Sequence, residues 1–456
     1  MDALLNVVKS INSVLWGYIL VFMLVGTGIF FTFKLKFVQV KKFGKGWKQL
    51  LGGFSLHGKK AGKEGMSSFQ ALATAIAAQV GTGNLAGAAT AILSGGPGAI
   101  FWMWVSAFFG MATIFAEAIL AQKYREKGDD GQVVGGPAYY IKNGLHNKYL
   151  AGFFSVTIII ALGFIGNMVQ ANSIADSFKT AFNIPAYVTG IVVAIIAALI
   201  FMGGIGRIAS FTEKVVPLMA IGYLIVGLII MITHYYNIPM AFKMIFEGAF
   251  NPQAVTGGLI GATVKESVRY GVSRGLFSNE AGMGSTPHAH AVAKVNHPVE
   301  QGMVAIVSVF IDTFLVLTMT AMVILTTGSI NPEGVKLKGI QLTQYAFTNA
   351  LGAFGNPFVA ICLFFFAFST IVGWYYFGET NIRFLFGSKG LTPYRILVTA
   401  FVFLGSLLSV DLVWELADLF NGIMVIPNVI ALIGLSSVVS KTLKEYDDGL
   451  VKGLYK

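Results

Sequence analysis

One cysteine in 456 residues, Cys362, excludes an intrachain disulfide and any metal cluster built from cysteines. Charge is almost as scarce. Asp, Glu, Lys and Arg make up 12% of the chain, against about 25% in soluble domains, while 55% of it is hydrophobic. So few charges cannot clothe a water-facing surface. The 38 Phe and 54 Gly residues add to a membrane composition. A net charge of +11 is also a trait of nucleic-acid binders. Its lysines, however, sit in short segments between apolar runs with no interleaved stacking aromatics, which reads as an orientation signal. The first apolar run is too long for a signal peptide and lacks a small-residue cleavage site. An all-α polytopic membrane protein, multi-pass in the cell membrane, is the expectation.

A bilayer-spanning helix needs about 20 apolar residues, and eleven candidates lie near 12–33, 68–92, 97–121, 151–177, 186–206, 211–233, 256–291, 299–327, 352–385, 391–410 and 412–440. Alternate connections, with the C-terminal tail, hold 24 of the 32 basic residues. The opposite side holds five: Lys9, Lys179, Lys243, Lys336 and Lys338. The other three, Lys265, Arg269 and Arg274, fall in the seventh span. This bias predicts an outside N-terminus and a cytoplasmic C-terminus.

The stretch 68–92 carries no charge, yet Gln79, Gly81, Thr82, Gly83 and Asn84 sit at its middle. Glycines loosen a helix, and a backbone freed at mid-membrane is tolerated only where it lines a protein or wet cavity. Residues 81–86 also fit G-x-G-x-x-A, as do 204–209. Without a preceding strand, or an acidic residue at the right distance, dinucleotide binding is not supported. Close helix packing through Gly83 and Gly87 is the plainer alternative. The seventh span has a more polar centre, Arg274 to Pro287, with three glycines.

The first span lacks internal ionisable groups and reads as peripheral. Ten spans then divide into two fives, and an odd number per half implies oppositely directed halves. The expected divisions are 1–66, a peripheral helix with a basic cytoplasmic loop; 67–240 and 241–440, the two five-helix inverted repeats; and 441–456, a cytoplasmic tail. The first helix of each half, the first and sixth of the core, is then the discontinuous one. Paired interrupted helices point to a transporter site. A channel would need repeated pore-lining rings, and an enzyme a clustered nucleophile, base or metal set; neither is present in the sequence.

Three stretches are specific. Residues 95–110, GGPGAIFWMWVSAFFG, resemble the signature of the sodium:alanine symporter family, the alanine or glycine carriers of bacteria and archaea. GTGNLAGAAT and GLFSNEAGMGSTPHAHA are similar to its other hallmarks. The resemblance covers nearly the whole chain and points to an archaeal member. It implies the leucine-transporter fold and sodium-coupled symport of alanine and glycine. Proton coupling is the alternative, and no obligate protein partner is expected.

A zwitterionic amino acid needs positive potential at one end and negative at the other, which helix N- and C-termini supply. The half-helix starting near Gly83 is expected to offer amides to the carboxylate, with Thr82 and Asn84 as side-chain donors and Gln79 free to bond either end. The half-helix ending near Gly275–Ser278 is expected to offer carbonyls to the ammonium group, with Asn279 a further candidate substrate ligand. Gln79 and Asn84 alternatively bridge broken backbone. Phe277, Ile371 and Trp374 are the expected walls. Asn167 and Gln170, one turn apart, face the site or act as helix–helix glue. The fold match, through its similar V-G-x-G-N run at 80–84, places sodium on the carbonyls of Ala77 and Val80. Ser369 and Thr370 of the eighth core helix are the partner hydroxyls, unless they bond only their own i−4 carbonyls.

Glu117, Glu280 and Asp312 lie at or near membrane depth, where carboxylates are functional by default. Structural support ranks first for each. Glu280 is expected to steady the second break through Arg274 or backbone amides. Glu117 is expected near the interface, beside Lys123 and Arg125, and Asp312 is a candidate for an ion or proton. Residues 53–60 approach a P-loop, but Lys60 replaces the hydroxyl that would reach magnesium. His288 and His290 lie two apart, on opposite helix faces, and are expected near the cytoplasmic interface, not as zinc ligands.

Overall fold

The computed structural model describes residues 2–52, 65–251, 263–330 and 337–454. The P-loop-like run 53–60, Lys336, and the first part of the seventh candidate span lie outside them. Helix dominates. α1 is Leu4–Lys34; α2 Ser68–Gln79; α3 Gly83–Gly95; α4 Ala99–Lys123; α5 Lys148–Phe182; α6 Ala186–Phe201 and α7 Gly204–Thr233. There follow α8 Ile238–Phe250, α9 Val264–Asn279 and α10 Pro287–Ala291. The chain continues through α11 Pro298–Thr326, α12 Ile340–Leu351, α13 Gly355–Phe386, α14 Leu391–Leu407, α15 Val410–Gly434 and α16 Ser436–Val451.

Among the described residues, seven helical runs are long and apolar enough to cross a membrane. The pair α2 and α3, bent by 43°, forms an eighth. The expected eleven are not all visible by this measure, for physical reasons. Ile340–Leu407 is one helical run holding two expected spans, α6 is only 16 residues long, and α9 carries Lys265, Glu266, Arg269 and Arg274. Ile191, Ile195, Leu218, Ile225 and Leu228 of α6 and α7 are exposed. Such faces are stable against lipid, not water.

α4 packs along α9 and α11, and α1 covers its outer side. α5 packs on α13 and α14, and α6 on α14, while α13 also meets α2. The two interrupted helices start alike. Ser67 Oγ accepts from Gln70 N and Gln70 Oε1 from Ser67 N, both at 3.1 Å. Thr263 and Glu266 form the same reciprocal box at the start of α9. These caps satisfy amides that a helix start leaves free, so each segment begins firmly before it breaks. A short parallel pairing joins β1, Met66–Ser67, to β4, Ala293–Lys294, beside the two interrupted segments. Between them in sequence, β2, Glu126–Lys127, pairs antiparallel with β3, Val133–Val134.

Candidate functional site

α2 ends at Gln79, Val80 turns to extended backbone, and α3 restarts at Gly83. Glycine is required here by crowding. A Cβ on Gly81 would lie 2.3 Å from Thr370 Oγ1, and one on Gly83 2.8 Å from Ser278 Cα. The two breaks therefore touch, and α13 presses on the first of them.

At the first break, Thr370 Oγ1 lies 2.9 Å from Ala77 O and 3.5 Å from Val80 O, and Ser369 Oγ 3.3 Å from Ala77 O. Both hydroxyls also donate back to Phe366 O, at 3.1 and 2.9 Å. The hydroxyls thus do not bond their own helix alone but also meet the backbone of the first break. Two carbonyls and two hydroxyls, all neutral oxygen and all from buried residues, form a donor set suited to a small monovalent cation.

Gln79 Nε2 donates to Asn279 O at 2.7 Å, tying the first break to the end of α9. Thr82 N donates to Gln170 Oε1 at 3.2 Å. Asn84 Oδ1 accepts from Gly81 N at 2.9 Å, and its Nδ2 donates to Asp312 at 2.6 Å. Asn84 thus bridges broken backbone, the structural alternative weighed for it. Asn167 Nδ2 donates to Gly163 O at 3.1 Å. Phe277 meets Trp374 edge-on at 5.6 Å and Trp414 at 4.8 Å, and Ile371 is buried beside them on α13. Gln79 Oε1, Thr82 Oγ1 and Asn167 Oδ1 are buried with no partner among the described residues. Unpaired buried acceptors cost about 1–3 kcal/mol each, and an N–H-rich group such as ammonium would relieve them.

The second break is held by carboxylates. α9 ends at Asn279, and Glu280 takes left-handed backbone, φ 58°. Its carboxylate accepts from Ser285 Oγ at 2.6 Å and from Trp374 Nε1. Ser278 Oγ donates to both Asp312 oxygens, at 2.9 and 3.0 Å, and Asn279 Nδ2 to Thr313 Oγ1 at 3.1 Å. Asp312, bonded also by Asn84, joins the two breaks. Glu117 accepts from Gly282 N and Gly284 N, both at 3.0 Å, and from Asn428 Nδ2 at 2.7 Å.

These contacts correct three expectations. Glu117 lies in the core and not at the interface, because its acceptors serve the unwound backbone of the second break. Arg274 does not reach Glu280; it pairs with Asp418 through two 2.7 Å bonds. His288 and His290 are fully buried, His288 Nδ1 lying 2.6 Å from Ser285 O. Asp418 and Asn428 were not anticipated, since nothing in their own surroundings in α15 marks them as partners of other helices. Beyond Arg274 and Trp414, whose ring lies 4.8 Å from the guanidinium, opens a cavity of about 240 Å³ that both residues line. Widened π-helical turns contain Asn84 (Gly83–Gly87) and Asp312 (Phe310–Leu317), and a third, Ile159–Gly166, ends just before Asn167; such turns are frequent at functional sites.

The sodium:alanine symporter family model matches residues 1–455. The chain belongs to the sodium:alanine symporter family. Within this family it is 44% identical to the sodium/alanine symporter AgcS of Methanococcus maripaludis, over 97% of each chain. It is 40% identical to the probable sodium/glutamine symporter GlnT of Bacillus subtilis, over 97% of this chain and 90% of that one. A manganese transporter of Eremococcus coleocola shares the fold at 14% identity, with a TM-score of 0.53 over 80% of this chain and 76% of its own. The symporter family places this chain among membrane transporters, not enzymes.

Proposed function

We propose that the protein takes up small neutral amino acids, alanine and glycine, across the cell membrane together with sodium, by alternating access. The observation that carries this reading is the meeting of four neutral oxygens, from Ala77, Val80, Ser369 and Thr370, at a helix break that touches a second break. Sodium bound there would fasten α13 to the first break and fix the groups that hold the amino acid. Gln79, Thr82, Gly83, Asn84, Asn167, Gln170, Ser278 and Asn279 are the proposed polar ligands, with Phe277, Ile371 and Trp374 as walls. Their crowding favours a substrate with little side chain. The two matching capping boxes and two breaks support an inverted repeat over 67–240 and 241–440, within eleven spans of leucine-transporter type. The basic-residue bias supports an outside N-terminus. On that orientation the 240 Å³ cavity opens outward, and the Arg274–Asp418 pair closes the site from it.

Proton coupling is a second reading, favoured by one observation: the buried carboxylate of Asp312 is bonded to both breaks. Radiolabelled alanine uptake into proteoliposomes at fixed pH separates the two. Concentrative uptake under an inward sodium gradient, lost when potassium replaces sodium, is the expected result. Uptake that ignores sodium and follows a proton gradient would establish the second reading instead.

A further inference from the structure

At the end of α1 the chain makes two successive left-handed residues, Lys36 (φ 54°) and Phe37 (φ 60°), before the short helix Val38–Lys41. This turn folds the lysine-rich segment against α16. Between them lies a groove of about 340 Å³ lined by Lys34, Lys36, Lys41, Lys42 and Lys444, with Asp447 the one acidic side chain on its wall. Asp447 is taken by Lys42, and Lys34 donates to Ser436 Oγ at 2.8 Å. Lys36, Lys41 and Lys444 have no ionic partner among the described residues. Three lysines thus line one groove with no ion-pair partner among the described residues.

The apolar rim is the second observation. Phe33, Phe37 and Val40 are 65%, 41% and 58% exposed at the same end of α1, where an apolar span meets its flanking charges. A free phosphate ion needs only the ammonium groups. A molecule carrying both a phosphate and acyl chains uses the lysines and the exposed apolar side chains together.

We propose that this groove binds the headgroup phosphate of an anionic phospholipid, of the phosphatidylglycerol type. Lys36, Lys41 and Lys444 hold the phosphate, and the acyl chains lie along Phe33, Phe37 and Val40. The lipid adds a bridge from α1 to α16 beside those of Lys34 to Ser436, Lys42 to Asp447 and Lys123 to Thr442 Oγ1, the last at 3.2 Å. The site is independent of the substrate and ion assigned above.

Native mass spectrometry of the full chain, incubated with equimolar phosphatidylglycerol and phosphatidylcholine, tests this. The expected result is a retained phosphatidylglycerol preferred by about tenfold or more. The triple variant Lys36→Gln, Lys41→Gln, Lys444→Gln should bring the two lipids to near parity. Lys45→Gln, Lys48→Gln, outside the groove, should keep the preference. Equal retention of both lipids by the native protein overturns the proposal whether or not any variant folds. So does equal loss in the control variant, which would mean general surface attraction. Displacement of the lipid by inorganic phosphate or by an acidic peptide also overturns it.

Discussion

The two helix breaks do the same geometric job with opposite chemistry. At the first, the backbone of 77–82 is held by neutral groups: the amides of Asn84 and Gln170 at Gly81 and Thr82, and the hydroxyls of Ser369 and Thr370 at Ala77 and Val80. At the second, residues 280–286 are held by Glu117 and Glu280, while Asp312 anchors the end of α9. A carboxylate accepting amide N–H bonds in a dry core is a strong, self-sufficient tie. Neutral oxygens gathered without a cation are a weaker one. The difference teaches that carboxylates brace the second break, whereas at the first the proposed sodium would add the missing tie.

The largest effect is expected from removing a brace. Glu117→Ala leaves two backbone amides and the Asn428 amide without their acceptor, at about 1–3 kcal/mol each. Alanine uptake should fall about a hundredfold or more, with a lower melting temperature, and Glu117→Gln should recover part of both. Next is Gly81→Ala, whose Cβ would press on Thr370 Oγ1 at 2.3 Å. Overpacking of this kind costs about 1–3 kcal/mol, so half-activating sodium should rise about tenfold or more. Thr370→Ala removes one of the four oxygens. It should raise half-activating sodium by about tenfold while saturated uptake stays within about twofold. Unchanged sodium activation in both variants would dissolve the distinction between the breaks.

The smallest effect lies outside the membrane. Asp129 accepts from Ser388 N and Ser388 Oγ, both at 3.0 Å. These bonds hold its carboxyl below the ordinary carboxylate range, the backbone bond foremost. With the folded value depressed, the tie is present above about pH 4 and is lost as pH falls through that lowered value. Asp129→Asn should therefore lower the melting temperature slightly at neutral pH and have no effect in acid.

The fold was legible where a local pattern reports a local need. The Gly-Thr-Gly-Asn run could be read as a break because two glycines stand beside polar Thr82 and Asn84 in the middle of an apolar span. The first break was expected at 81–84 and lies at 80–82, and the second was expected within 274–287 and follows Asn279; the pairing of Ser369 and Thr370 with Ala77 came from the family resemblance, not from the pattern of residues. The carboxylates were legible as important but not as to role. Glu117 sits six residues from Lys123, so a linear reading sends it to the interface. Only the return of residues 282–284 against α4 shows what it bonds. Arg274 likewise has acidic Glu280 near in sequence, but its partner Asp418 lies on α15. Helix count was blurred by chemistry, since a functional span such as α9 is too polar to look like a span.

The most direct test is hydrogen exchange on the reconstituted protein in sodium against potassium. The account predicts that sodium slows exchange in a peptide covering 76–84 and leaves one covering 280–286 unchanged. Equal protection of both peptides, or of neither, would contradict it.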